Sequence, residues 1–134
     1  MTLRRVSAER IAVPRRPTQN LAAPLKVLVS HEDGRAHVVL MGELDVSTAR
    51  FLAEQLLDAT AASTGDMVID VGLLDFIGST GLSVLVSQHK ALQAQGRTLI
   101  LLDPTPSARR LFAITALDQV MTIEPATVQT AEPG

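Results

Sequence analysis

The chain has no cysteine, no tryptophan and no tyrosine, and only three phenylalanines among its 134 residues. Without cysteine there is no disulfide framework, no thiolate zinc site and no cysteine nucleophile, an absence that fits a reducing cytoplasm. So few aromatic rings exclude the stacking platforms of single-strand nucleic-acid binders and the aromatic anchors of carbohydrate sites. No apolar run is long enough to span a bilayer, and no apolar segment of secretory-signal kind follows the positive residues near the start. What is present is 46% hydrophobic residues, enough in a chain of this length to bury one core without a metal or a cross-link.

Charge is unevenly placed. Residues 1–24 hold five arginines (Arg4, Arg5, Arg10, Arg15, Arg16) against one glutamate, whereas residues 25–134 hold seven basic against thirteen acidic side chains. An acidic body lacks the clustered Lys and Arg that neutralise phosphates, which argues against a DNA or RNA partner. Residues 1–24 carry Pro14, Pro17 and Pro24 and no sustained apolar period, so a disordered basic tail is expected there. Composition predicts a second loose tail over 125–134, leaving 25–124 as one domain.

Within that domain, strands are expected over residues 25–30 and 35–41, joined through Asp33-Gly34. Asp-Gly favours the positive φ angles of a type I′ hairpin turn, and the resulting register sets Glu32 opposite Arg35, His31 opposite Ala36 and Ser30 opposite His37. The two histidines are therefore not direct neighbours, and no third ligand of suitable type accompanies them, so no metal site is expected. The period then changes from two to helical, with Ala49, Leu52, Ala53, Leu56 and Leu57 on one stripe and Asp45 or Ser47 as cap. Residues 67–71 read as a buried strand, 72–78 as a loop, and Leu82, Leu85, Val86, His89 and Leu92 as a second helical stripe ending at Gly96. A buried strand over 98–102 follows. Thr105 as N-cap and Pro106 at the first helical position open a third helix that points Ala108, Leu111, Phe112 and Ile114 inward. A last short strand is expected over 120–123. The fold class is α/β: a leading hairpin, then alternating strands and helices, giving a small mixed sheet flanked by helices.

The residues offer little for catalysis. Ser79 and His89 lie about 15 Å apart along one helix and cannot share a proton, and His89 sits on the apolar stripe as a half-buried helix residue. Gly78-Ser79-Thr80-Gly81 has neither the lysine and spacing of a P-loop nor the three-glycine dinucleotide pattern, so no cofactor is implied. Asp70, Asp75, Glu43 and Asp45 read equally well as solvated loop residues and caps. What stands out is a pair of hydroxyls flanked by glycines where a buried strand hands over to a helix. A hydroxyl there either caps the helix or accepts a phosphoryl group whose charge the helix dipole tolerates.

Gly42-Glu43-Leu44-Asp45, the strand at 68–71, the stretch from Phe76 to Leu82 and the late Pro106-Ser107-Ala108-Arg109-Arg110-Leu111-Phe112 with Leu117 together resemble the STAS domain of bacterial anti-anti-sigma factors, over about residues 25–124. The resemblance implies a non-enzymatic, cytoplasmic switch. The dephosphorylated form of such a protein binds an anti-sigma factor of the ATPase-type serine kinase class and frees a sigma factor. The kinase phosphorylates the hydroxyl residue just before the helix glycine, and a phosphatase reverses it. By motif match the phosphorylated residue is Thr80, with Ser79 as second choice, and Asp45 matches an acidic residue beside that site. The implied partner surface comprises Asp45, Gly78, Ser79, Thr80, Gly81, Leu82 and Ser83. Where the family usually has Asp before the two hydroxyl residues, this chain has Gly78. The alternative is an unphosphorylated STAS scaffold subunit of a transport or signalling complex, in which Thr80 is only a cap.

Overall fold

A computed structural model describes residues 24–125. The expected tails, apart from Pro24 and Pro125, lie outside the described residues. Strand β1 (Leu25–Glu32) and β2 (Arg35–Leu44) form the leading hairpin. Asp33 and Gly34 both take positive φ, 55° and 82°, and the register pairs Glu32 with Arg35, His31 with Ala36 and Ser30 with His37, as the Asp-Gly signal predicts. Helix α1 (Ala49–Ala61) leads to β3 (Met67–Ile77), α2 (Ser79–Gln93), β4 (Leu99–Leu102), α3 (Pro106–Ile114), a 3-10 turn (Leu117–Gln119) and β5 (Thr122–Glu124).

The strands form one sheet in the order β1-β2-β3-β4-β5, antiparallel between β1 and β2 and parallel from β2 onward. Each parallel step moves in the same direction through one helix, and right-handed crossovers of that kind put all the helices on one face. Burial agrees. Val38 and Leu40 of β2, Met67 and Ile69 of β3, and Leu99 and Leu101 of β4 form one core with Leu52 and Leu56 of α1, Leu85 and Leu92 of α2 and Phe112 of α3. Each such side chain contributes roughly 1.5–3 kcal/mol by leaving water.

Several elements differ from the sequence expectation. Residues 72–78 are not a loop: β3 runs to Ile77 because β2 continues beside it to Leu44, pairing Met41 with Leu73, Gly42 with Leu74, Glu43 with Phe76 and Leu44 with Ile77. The two register shifts leave an extra residue on β3 each time, one of them Asp75, and such bulges break the alternation that marks a strand in sequence. Leu57 is 63% exposed rather than inward-facing, and Ile114 is 74% exposed because α3 ends there. The last strand starts at Thr122, the 3-10 turn having consumed the preceding residues; Met121 is buried and Val120 exposed. His89 is buried, at 7% exposure, and among the described residues its Nδ1 has no hydrogen-bond partner.

Candidate functional site

Parallel neighbours β2 and β3 end together, so the segments that follow them leave the same edge of the sheet side by side. The Gly78 amide donates to the Leu44 carbonyl at 2.8 Å, which ties the start of α2 to the residue before Asp45.

After β2 the chain makes a tight polar turn. Asp45 Oδ1 accepts hydrogen bonds from the Ser47 amide (2.9 Å), the Ser47 hydroxyl (2.7 Å) and the Thr48 amide (3.2 Å). The Asp45 amide in turn donates to Thr48 Oγ1 (3.0 Å), whose hydroxyl donates to the Glu43 carbonyl (2.9 Å). The N-cap of α1 is Thr48, not Asp45 or Ser47, because this turn places Asp45 three residues ahead of the N-cap position. The Ser47 hydroxyl, with the backbone amides behind it, holds the Asp45 carboxyl below the usual carboxylate range. Asp45 therefore keeps its negative charge at neutral pH. Any stability this turn gains from the shift is present above the ordinary carboxylate pKa and is lost as the pH falls through the lower folded value.

At α2 the N-cap is Gly78, in extended conformation, and no side chain caps the first turn. Ser79 and Thr80 occupy the first two helical positions with their side chains exposed. Neither hydroxyl makes a hydrogen bond among the described residues; the nearby Ser83 hydroxyl donates to the Ser79 carbonyl at 3.2 Å. The capping reading of Thr80 is therefore not the arrangement found. Gly81 is buried against β2: a Cβ there would stand 2.4 Å from Leu44 Cγ and 3.1 Å from the Leu44 carbonyl oxygen. That approach is open only to glycine and sets how closely the helix start sits on the end of β2.

The structure thus brings Asp45, Gly78, Ser79, Thr80 and Ser83 to one edge, with the sides of Ser79, Thr80 and Ser83 open to solvent. Leu82 is 7% exposed and Gly81 is buried, so both hold the edge in place and offer little surface. Sequence reasoning missed the apolar rim. Val46 (77% exposed) stands beside Asp45 in the turn, and Phe76 (52%) stands just before Gly78. An apolar residue inside the polar run Asp45-Val46-Ser47-Thr48 was a usable signal for the first; the bulge at Asp75 hid the second. Thr80 and Ser83 also form one end of a groove of about 440 Å³ between α1 and α2, walled by Leu57, Val84 and Ala91. Among the described residues no cluster of three or more His, Asp or Glu is placed to hold a metal ion, and no helix is long and apolar enough to cross a membrane.

A five-stranded sheet with its helices on one face and glycine-flanked hydroxyls at a helix start defines a class that the sequence model of the STAS domain also picks out, matching residues 27–131; the chain belongs to the STAS domain family. Its relatives include the anti-sigma-B factor antagonist of Staphylococcus epidermidis, 32% identical over 99 residues that make up 74% of this chain and 91% of that protein. The anti-sigma-B factor antagonist of Staphylococcus aureus (strain NCTC 8325 / PS 47) is 31% identical over 103 residues, 77% of this chain and 95% of its own. Among solved structures, an anti-sigma factor antagonist from Mycobacterium paratuberculosis superposes with a TM-score of 0.69 at 28% identity, covering 79% of this chain and 91% of the other.

Proposed function

We propose that this chain is an anti-sigma factor antagonist acting as a phospho-switch and not as an enzyme. Dephosphorylated, it binds an anti-sigma factor of the ATPase-type serine kinase class through Asp45 and the segment from Gly78 to Ser83, and so frees a sigma factor. The kinase transfers a phosphoryl group to Thr80, or to Ser79 as second choice, which ends binding; a phosphatase restores it.

The observation that carries this reading is that the Thr80 hydroxyl is exposed on the first turn of α2 and has no structural employment. Gly78 holds the N-cap position and Thr80 makes no hydrogen bond among the described residues, so no described contact needs that hydroxyl. The helix dipole tolerates a phosphate at this end, so modification leaves the domain folded. In a partner interface the effect is opposite. Nearly two added negative charges beside ionised Asp45, on an acidic body, bring like-charge repulsion and a desolvation cost. The family likeness to anti-sigma-B factor antagonists supports the partner class.

The test compares tagged wild type, Thr80→Glu, Thr80→Ala and Ser79→Ala chains in capture from the native organism's lysate, with mass-spectrometric identification and circular dichroism to confirm folding. Wild type and Thr80→Ala are expected to retain an ATPase-type kinase that Thr80→Glu loses. Incubating that kinase with ATP and wild type is expected to place phosphate on Thr80. Equal capture by folded wild type and Thr80→Glu, or phosphate on neither hydroxyl, would overturn the switch.

A further inference from the structure

The two edges of the sheet differ. Strand β5 has three residues and is followed by Pro125, which has no amide hydrogen to offer, so that edge is short and blunted. Strand β1 has eight residues, no proline and no register shift against β2. Among the described residues no strand pairs with its outer side. One contact fixes which of its residues look outward. The Pro24 carbonyl accepts from the Glu43 amide at 2.9 Å, so in this antiparallel register the even-numbered residues turn their N–H and C=O groups to β2. Val27, Val29 and His31 turn theirs the other way, and a long row of such groups is a template for a further strand.

The side chains of β1 match a second β1. In antiparallel pairing about a two-fold axis at Val29, Val29 meets its own copy, Val27 meets His31 and Lys26 meets Glu32, the last two contacts each occurring twice. The outward groups of Val27, Val29 and His31 then face one another and supply about six backbone hydrogen bonds. Leu25, Val27 and Val29 belong to or pack against the core, so by alternation Lys26 and Glu32 share the sheet face away from the helices. Neither is ion-paired among the described residues. A slip of two residues sets Lys26 opposite Ser30 or Gly34 instead and loses both ion pairs. Val27 and Val29 are only half-buried in one copy and gain cover from the other.

We propose that two copies of this chain join their β1 strands antiparallel, in the register that sets Lys26 opposite Glu32, making one continuous sheet with all helices on one face. A second copy fits this edge better than an unrelated strand because the segment is its own electrostatic complement: the same two residues supply both ion pairs. The net charge of −2 per chain leaves little long-range repulsion to oppose the contact. The pairing uses the long edge of each copy and leaves only the short β5 edges, so it closes at two. It is a small interface, and the association is weak and concentration-dependent. The axis reverses strand direction, which puts the two Asp45–Thr80 edges at opposite ends of the joined sheet.

Sedimentation velocity of the full chain from about 5 to about 500 μM reads the association, and a shift from monomer to dimer is expected. Lys26→Glu and Glu32→Lys each set like charges opposite one another twice, and each is expected to weaken the dimer about tenfold. Combining the two substitutions in one chain, or mixing the two single variants, is expected to restore it. The absence of cysteine allows a check of register. Val29→Cys is expected to link to its own copy on mild oxidation, since paired Cα atoms at the axis stand about 5.5 Å apart; Val120→Cys, exposed on the far side, is expected to stay unlinked. Circular dichroism confirms that the variants are folded. A chain that stays monomeric, a dimer indifferent to the single charge changes, or one that the double exchange does not restore would each overturn the proposal. So would protection of the Val27, Val29 and His31 amides from hydrogen exchange at the lowest concentration, which would assign the edge to a segment of the same chain.

Discussion

Two helices of this domain begin beside hydroxyl residues and use them in opposite ways. At the start of α3, the Thr105 side chain accepts a hydrogen bond from the Ala108 amide at 3.2 Å, with Pro106 next to it, and the hydroxyl is part of the fold. At the start of α2, Gly78 takes the N-cap position and Ser79 and Thr80 follow one and two residues later, inside the helix, with hydroxyls outward. The difference is one of position. At the N-cap a hydroxyl satisfies an orphan amide; at the next two positions here the hydroxyls make no such bond and face outward. A motif of glycine, serine, threonine and glycine therefore separates the N-cap position from the exposed hydroxyls, and the second glycine fixes where those hydroxyls stand.

The largest expected effect comes from breaking that second glycine. Gly81→Ala places a methyl 2.4 Å from Leu44 Cγ and 2.9 Å from Leu44 Cδ2, on a side chain that is fully buried. Overpacking of this kind costs up to about 3 kcal/mol, and the better helix propensity of alanine returns about 1. A net loss of about 2 kcal/mol in urea denaturation is expected. A gain in stability would show that the close approach of α2 to β2 is not what the glycine provides.

How much of this was legible beforehand follows the range of the forces. Asp33-Gly34 and Thr105-Pro106 act through bonds a few residues long, and both the hairpin register and the α3 cap stand where the sequence puts them. The loop expected over 72–78 failed because pairing with β2, a contact between distant segments, outweighs a run containing Gly72 and Asp75. Leu57 failed for a related reason: a helical stripe tells which residues share a face but not how wide a face the neighbouring helix covers. At the candidate site the sequence located the hydroxyl pair at the helix start. It left open whether they cap, since that turns on a shift of one residue in where α2 begins, a boundary that only the strand before it decides.

A sharper test of the comparison removes one hydroxyl at a time. Thr105→Ala deletes the acceptor for the Ala108 amide and is expected to cost about 1 kcal/mol. Thr80→Ala deletes a side chain that is exposed and bonded to nothing described, so its thermal stability is expected to stay within about 0.5 kcal/mol of wild type. The pair is read in a single denaturation series. Equal losses from both substitutions would mean that Thr80 is doing the work of a cap after all, and the contrast between the two helix starts would collapse.

The smallest effect belongs to the position where this chain carries glycine and the resembling family usually carries aspartate. Gly78 has φ −98° and ψ 176°, which any residue adopts; a Cβ there is close only to the Phe76 ring edge, at 3.1 Å, on a side chain that is 52% exposed and free to yield, with the Leu44 carbonyl oxygen at an ordinary contact distance of 3.8 Å. Gly78→Asp therefore fits, and its carboxylate accepts from an amide of the first α2 turn while its charge suits the helix dipole. Glycine is already a tolerable N-cap, so the expected gain is only a few tenths of a kcal/mol, a rise of about 1–3 °C in Tm for a domain of this size. The substitution gives α2 the side-chain cap that α3 has, without touching Thr80. A loss of stability instead would show that the negative charge of Asp45, already fixed at this edge, outweighs the capping bond, and that glycine at position 78 keeps a second carboxylate away from the hydroxyl pair.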